Sequence, residues 1–491
     1  MRKNAILMVL YEVLLLIVPL LLTPYLSRVI GSFGIGVYSY AFSITSYFII
    51  VIQLGIKLYG RREIAKINDN KDKCSSVFFS IFSLEFILFS ITSIAYFLFV
   101  CLYETDTILN QAFFILYIEI IASLLDINWF FYGIEKFDII LIRNGIVRIA
   151  QLFLILIFVT GKDDVLIYIL IMSLCNLAGV ISMWVKINKF VCFKKEYLKN
   201  CFIHFFPMVQ LFIPVLSTQL YSVVDRTIIG FYLDMNNVGF YENAYKIAKV
   251  PVVIITALGS VMLPRITKLI ADGEISEASR YLRKSLSLTM FVTCAISFGL
   301  CSVSSSLIPI YLGDGFSESI ILLEIMSFML VFIGWGNVLR TQYMLPKGYD
   351  MLYTKSVVYA SIINILLSIL LIKYFSVIGV ALSALIGEVI ICIYSTIKLR
   401  KELDISTYIY DSIVYFVAGI FMLVSIGFLK NSFLYNLSVL TSFFIEFVLA
   451  AIIYMGSVLL YEAITGKNVI INEAVIFLNR TKQYVKDAIK K

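Results

Sequence analysis

The chain has 491 residues, 61% of them hydrophobic and 15% charged, with a mean hydropathy of +0.95. A water-soluble core of this size cannot hide so much apolar surface, so a soluble globular protein is excluded and the bilayer is the solvent. The net charge of +8 does not point to nucleic acid, because the basic residues are segregated by connection rather than gathered in a patch.

A spanning helix needs roughly 20 apolar residues, and about fourteen of them use ~280. The pattern predicts spans at 5–27, 37–58, 77–102, 112–132, 139–160, 164–185, 204–229, 239–263, 285–311, 318–344, 354–373, 377–398, 408–429 and 435–461. The first run is too long for the apolar stretch of a signal peptide and is read as a retained span. Lys and Arg crowd alternate connections, such as 60–73, 186–199 and 265–284. Only Arg28, Lys162, Lys373 and Lys430 fall in the other connections, which are all short. That asymmetry places both termini in the cytoplasm. The stretch 466–491 is basic and amphipathic, as for a helix lying on the inner leaflet.

Two segments repeat each other. RVIGSFGIGVYSYA starts at Arg28 and RTIIGFYLDMNNVGFYENA at Arg226; both end in Gly-x-Tyr-x-x-Ala and follow apolar runs holding Pro19 and Pro214. A weaker echo joins NWFFYGIEKFDIILIR (128–143) to RTQYMLPKGYDMLYTK (340–355). Spans 1–6 therefore match spans 7–12. Six is even, so both halves enter in the same orientation and the repeat axis runs along the membrane normal. The expected fold is an all-α integral membrane protein: an N-terminal lobe (1–200), a C-terminal lobe (201–403), spans 13 and 14 (404–465) and the tail (466–491). Prolines in the spans, including Pro251 and Pro309, are candidate helix breaks where a cleft must flex.

Charges inside apolar runs are costly and need a partner or a purpose. Arg143, Arg148, Arg226, Lys246, Lys249 and Arg340 lie within spans, and Arg28 sits at the outer end of the first. Arg148 and Arg340 lie deepest and are read as lining a cleft that binds an anion, which guanidinium holds by paired hydrogen bonds. Arg28 and Arg226 are within reach of the outer interface and Arg143 of the inner one, where snorkelling is the competing reading. Lys246 and Lys249 share one helical face, which is expected to look inward. The span acids are Glu12, Glu85, Glu119, Asp126, Asp225, Glu242, Glu324, Glu388 and Glu446. Glu119 and Asp126 are seven apart on span 4, with Arg148 a candidate partner for Asp126. Glu119, Asp126 and Asp225 are the candidates for H+ or Na+ coupling, against structural ion pairing. His204, the single histidine, is read as interfacial. Eight scattered cysteines and one histidine form no ligand set, so no metal or other cofactor is expected. There is no P-loop and no serine or cysteine triad, so no catalytic residue is assigned.

TPYLSRVIGSFGIGVYSYA with YFIIVIQLGIKLYGRREIAK resembles the opening of the Wzx-type polysaccharide (oligosaccharide) flippases, relatives of the multidrug-and-toxin-extrusion transporters and of the lipid II flippase. NWFFYGIEKF and LYSVVDRTIIGFYLDMNNVGFYENAYKIAKVP resemble further signatures of that family. The resemblance covers most of 5–400. It implies two six-helix lobes around a cationic cavity, with Arg28, Asp225, Arg226 and Lys246 at signature positions. It implies that an undecaprenyl-diphosphate-linked oligosaccharide is carried from the inner to the outer leaflet of the bacterial plasma membrane, for capsule or O-antigen assembly alongside a polymerase. Spans 13 and 14 would then offer a groove for the prenyl tail. The region Val18–Leu22 is apolar where the lipid II flippase carries an Arg-Asp pair, which argues against lipid II as cargo. A cation-coupled multidrug or metabolite exporter is the alternative within transport. A membrane polymerase or ligase is the alternative among enzymes, and the short outer connections disfavour it.

Overall fold

The computed structural model describes residues 17–67, 70–103, 106–198, 201–434 and 437–466. Glu12, the first part of span 1 and the amphipathic tail lie outside them. Among the described residues, 11 helices are long and apolar enough to cross a membrane, and the predicted spans fall on helices there, with 37–58 interrupted after Gln53 and 112–132 after Leu124. The chain is a multi-pass membrane protein.

In chain order the helices are α1 (Ile17–Val29), α2 (Gly31–Gln53), α3 (Ile56–Ala65), α4 (Lys71–Leu102), α5 (Thr107–Leu124), α6 (Asn128–Gly133), α7 (Phe137–Phe158) and α8 (Val165–Ile187). Then come α9 (Phe205–Tyr232), α10 (Met235–Ala271), α11 (Ile275–Tyr311), α12 (Glu318–Asn337), α13 (Asp350–Leu399), α14 (Ile405–Leu429) and α15 (Val439–Thr465). A π-helical stretch, Val338–Met344, continues α12. The breaks differ from those expected of proline. Pro251 and Pro264 sit inside α10 and Pro309 inside α11 without ending them. The chain instead breaks at Leu54–Gly55, where Gly55 takes φ +76 and its missing Cβ admits the Met208 carbonyl, and at Ser376, φ 53, in α13. That bend makes α13 two of the predicted spans.

The helices pack into two units. One comprises Met1–Asn243 with Ser361–Val380, the other Ala244–Ala360 with Ala381–Lys491. In the first, an aromatic core gathers Phe78, Trp129, Phe130 and Phe131. Trp129 stacks on Phe78 at 5.5 Å, and Gly60 makes room for its indole: a Cβ there would meet Trp129 at 2.4 Å. The repeated segments meet within this unit. A Cβ on Gly36 would lie 1.7 Å from the Met235 carbonyl oxygen, and one on Gly239 would lie 2.0 Å from that of Ser32. Equivalent glycines of the two repeats thus let α2 and α10 cross backbone to backbone, as small residues do in membranes.

In the second unit, Phe298, Trp335, Tyr415, Met422 and Tyr454 form the core. α15 buries every fourth residue: Ser442, Glu446, Ala450, Tyr454, Val458 and Glu462. Its polar members act as glue where lipid gives no hydrophobic drive for association. Tyr454 donates to the Phe291 carbonyl at 2.8 Å, and Ser306 and Ser442 donate to Glu446 at 3.0 and 2.8 Å.

Candidate substrate and coupling site

Helix periodicity builds the first part of the site. Asn144, Val147, Arg148 and Gln151 fall on one face of α7, and with Tyr38, Glu119 and Asn176 they line a cavity of about 230 Å³ in the first unit. Arg148 Nη1 donates to Gln151 Oε1 at 3.0 Å, and Gln151 Nε2 reaches the Met172 carbonyl at 3.4 Å. Glu119, 7% exposed, accepts from Asn176 Nδ2 at 2.6 Å. The cavity therefore holds the Arg148 guanidinium bonded to Gln151, a second arginine, Arg143, and a carboxylate held by one amide, with uncharged donors among them. Such a lining can receive an anion on the guanidinium and hydroxyls on the amides. Arg143 also lines this cavity, while its Nη2 donates to Asn128 Oδ1 at 2.8 Å.

α9 and α10 supply the second part. Asp225 is 7% exposed. Its Oδ2 accepts from Tyr241 at 2.7 Å and its Oδ1 from Asn364 Nδ2 at 3.0 Å, with Ser368 behind Asn364 at 3.3 Å. The next residue, Arg226, pairs through Nε with Glu242 of α10; the two side chains are 13% and 12% exposed. Tyr47 and Thr227 hydroxyls meet at 2.9 Å beside them. The charges of Glu119, Arg148 and Glu242 all act on Tyr38 and Tyr168 or on one of them, so the two parts are electrically continuous through these tyrosines.

The candidates thus divide. Glu119 and Arg148 share the cavity, and Asp225 and Arg226 form the buried group on α9. Arg28 is exposed and donates to the Pro24 carbonyl at 2.9 Å. Lys246 is half-buried, and Lys249 is exposed over the Tyr245 ring at 5.4 Å. Arg340 belongs to the second unit, where its guanidinium lies 5.2 Å from the Tyr353 ring centre and Nε donates to Gly336 at 3.3 Å. Asp126 departs from expectation. α5 ends at Leu124, so the seven-residue spacing does not place Asp126 below Glu119. It lies in the break before α6, accepts from the Asn128 amide at 3.1 Å and sits 3.9 Å from Lys57, while Arg148 turns to Gln151. His204 Nδ1 is 2.8 Å from the Tyr59 hydroxyl. The sequence reading passed over Gln151, Asn176, Tyr241 and Asn364. Gln151 carried a signal in its place three residues after Arg148 on one helical face, and Tyr241 in its place within the repeated Gly-x-Tyr-x-x-Ala motif.

Comparison with known proteins agrees with this architecture. Residues 1–270 match the family described as "Polysaccharide biosynthesis protein". The chain is 27% identical over 396 residues to a putative O-antigen transporter of Escherichia coli K12, covering 80% of this chain and 94% of that protein. It is 26% identical over 278 residues to the capsular polysaccharide biosynthesis protein CapF of Staphylococcus aureus, covering 52% and 67%. Among solved structures it is similar to the lipid II flippase MurJ in an inward closed conformation, with TM-score 0.73, 18% identity and 94% and 99% of the two chains covered. A multidrug resistance transporter of the MATE family, inward-facing, superposes with TM-score 0.58, 12% identity and 80% and 98% coverage. These likenesses establish the fold.

Proposed function

We propose, starting from the fact that this chain belongs to the polysaccharide biosynthesis protein family, that it is a flippase for lipid-linked oligosaccharides. It moves a polyprenyl-diphosphate-linked repeat unit from the inner to the outer leaflet of the bacterial plasma membrane by alternating access, for surface polysaccharide assembly. Both termini are cytoplasmic. Two six-helix lobes related along the membrane normal rock about the substrate, and an outer-face polymerase consumes the product. The observation that carries this reading is the half-buried Arg148, hydrogen-bonded to the uncharged Gln151, in a polar cavity inside an apolar bundle. It is supported by the O-antigen transporter and capsule relatives.

The physical task is to carry phosphate and sugar hydroxyls through hydrocarbon, where each lost hydrogen bond costs several kcal/mol. Arg148 takes diphosphate oxygens; Gln151, Asn144 and Asn176 replace water around hydroxyls; the prenyl chain stays in lipid. No bond is made or broken. Arg28, Lys246, Lys249 and Arg340 add positive potential along the path. H+ or Na+ exchange resets the cycle, with Glu119 and Asp225 as candidate carriers; Asp225 offers two carboxylate oxygens beside the Asn364 and Tyr241 side chains.

Reconstituted vesicles carrying labelled prenyl-diphosphate oligosaccharide test this. The label should reach the opposite face faster than in protein-free vesicles, and equal rates would refute the reading. In cells, Arg226→Ala should abolish export of the surface polymer and Arg226→Lys should retain part of it. Arg226→Ala with Glu242→Ala removes the stranded carboxylate and should still fail to export. Normal polymer in that double variant excludes Arg226 from the path.

A further inference from the structure

Glu446 of α15 is fully buried, and its two oxygens are unequal. Oε1 accepts from Ser306 of α11 at 3.0 Å and from Ser442, one turn earlier on α15, at 2.8 Å. Oε2 has no partner among the described residues. The Lys430 ammonium stands 3.4 Å from Oε1, and the side chains of Lys430 and Glu446 are 33% and 0% exposed. Lys430 Nζ also donates to Ser305 and, at 3.4 Å, to Ser306. Lys430 opens the π-helical stretch Lys430–Leu434, which continues α14. Ser304, beside these serines, serves a different acid, Glu324, at 2.7 Å. Two helices, α11 and α15, thus bring one carboxylate and three hydroxyls together, and the end of a third supplies an ammonium.

A fixed tie between helices is the plain alternative, and two features speak against it. A tie built for stability uses both carboxylate oxygens, since a buried acceptor without a donor is costly. Here one oxygen is idle, and the ammonium contacts to Glu446 and Ser306 are long. We propose that Glu446, Ser305, Ser306 and Ser442 form a binding site for a small monovalent cation. Lys430 fills it with its own ammonium in this state, and Na+ takes that place when Lys430 swings to the surface. The lining is all oxygen, which suits a hard cation. One carboxylate balances one positive charge, whereas a divalent ion would leave an unpaired charge in a buried setting. Each serine hydroxyl has lone pairs to offer and a hydrogen that rotates, and the idle Oε2 supplies a further ligand. The long lysine stem lets the ammonium withdraw to the membrane interface. With Lys430 in the site, the end of α14 is bonded to α11 and α15; with Na+ there, that end is released. The site is separate from Glu119 and Asp225. Its place on the outer face and any part in transport rest on the flippase reading; the ion binding itself does not.

Equilibrium binding of radioactive Na+ to the purified full-length protein, with choline holding the ionic strength, tests the site. Lys430→Met keeps the apolar stem and removes the competing ammonium. It should raise Na+ affinity about tenfold, as for a site that Lys430 fills about nine-tenths of the time. Glu446→Gln added to Lys430→Met should abolish that gain. Na+ held elsewhere, at Asp225 for one, is common to all three proteins and drops out of the comparison. The wild type supplies a second readout that no misfolded variant can blur: acylation of Lys430 by a water-soluble succinimidyl ester, mapped by mass spectrometry. Na+ should speed that acylation about threefold or more relative to choline, with the exposed Lys373 unaffected. Equal Na+ affinity in wild type and Lys430→Met, a gain that survives Glu446→Gln, or Lys430 acylation indifferent to Na+ would each overturn the site and leave a fixed tie.

Discussion

The two units each carry an open cavity, and the linings are opposites. The first, about 230 Å³, is walled by Arg148, Glu119, Gln151, Asn144 and Asn176. The second, about 290 Å³, is walled by Met290, Val331, Phe332, Trp335, Ile393 and Ile397, with Thr396 the polar exception. The helices that build them, α7 and α13 among them, are long and apolar enough to cross a membrane. Insertion into lipid therefore does not distinguish them. The difference lies in a few lining side chains, such as Arg148 in the first against Cys392 and Thr396 in the second. Charged side chains line the first cavity and are missing from the second. Transport chemistry on this fold is thus expected to be asymmetric, with charge deciding in the first cavity and shape in the second.

The largest test of that asymmetry is Arg148→Ala. A charge-assisted hydrogen bond to a buried anion contributes about 1.5–3 kcal/mol, so export should fall by roughly 10- to 100-fold at equal protein in the membrane. Arg148→Lys keeps the charge but loses the planar fork and should recover only part of the loss. Surface polymer measured beside membrane protein level checks both. Normal export by Arg148→Ala would erase the distinction between the two cavities.

How far the sequence announces these features follows from what each depends on. Spans were legible because length and hydropathy are set locally by the bilayer. The coincidence of spans 354–373 and 377–398 with the two arms of α13 reflects the same local signal. Buried charges were equally visible, since a guanidinium in an apolar run stands out. Their partners were not. Asn176 and Asn364 are amides among many polar residues, and only tertiary packing brings them to Glu119 and Asp225. Asp126 misled because the spacing argument assumes an unbroken helix, and nothing in SLLDINW declares that α5 ends at Leu124. Proline misled in the opposite sense: α10 runs through Pro251 and Pro264, as membrane helices can where neighbours satisfy the freed carbonyls. The units, too, are not separated at residue 200, since Ser361–Val380 packs with the first. The lobes drawn from the repeat and the units drawn from packing describe different things.

A smaller effect sharpens the comparison from the second cavity. Trp335 Nε1 donates to Thr396 Oγ1 at 2.8 Å. Thr396→Val preserves the shape and removes the acceptor, leaving a buried donor unsatisfied at a cost of about 1–3 kcal/mol. Thermal unfolding in detergent should show that loss while export changes less than about twofold. If export collapsed with stability intact, the second cavity would be a binding site in its own right.

The smallest effect concerns the echoed segments, 128–143 and 340–355. In the first, the Arg61 guanidinium lies 5.5 Å from the Tyr132 ring centre. In the second, Glu402 accepts from Lys347 at 2.6 Å and from Tyr343 and Tyr349, each at 3.0 Å. Partial burial pushes the Glu402 carboxyl up, but the hydrogen bonds from Lys347 and the two tyrosines outweigh it and hold the group below the usual carboxylate range. A carboxyl held low in the folded state contributes stability above its unfolded pKa, and that contribution is lost as pH falls through the folded value. Glu402→Gln should therefore cost about 1 kcal/mol or less at neutral pH, discounted because water screens the pair. The difference from wild type should vanish in acid, where the protonated carboxyl and the amide carry the same charge. Tyr132→Leu in the first segment removes a ring contact rather than a carboxyl and should give a pH-independent difference. Parallel unfolding series at neutral and acid pH read both, and a pH-independent cost for Glu402→Gln would show that shape rather than charge holds the second segment.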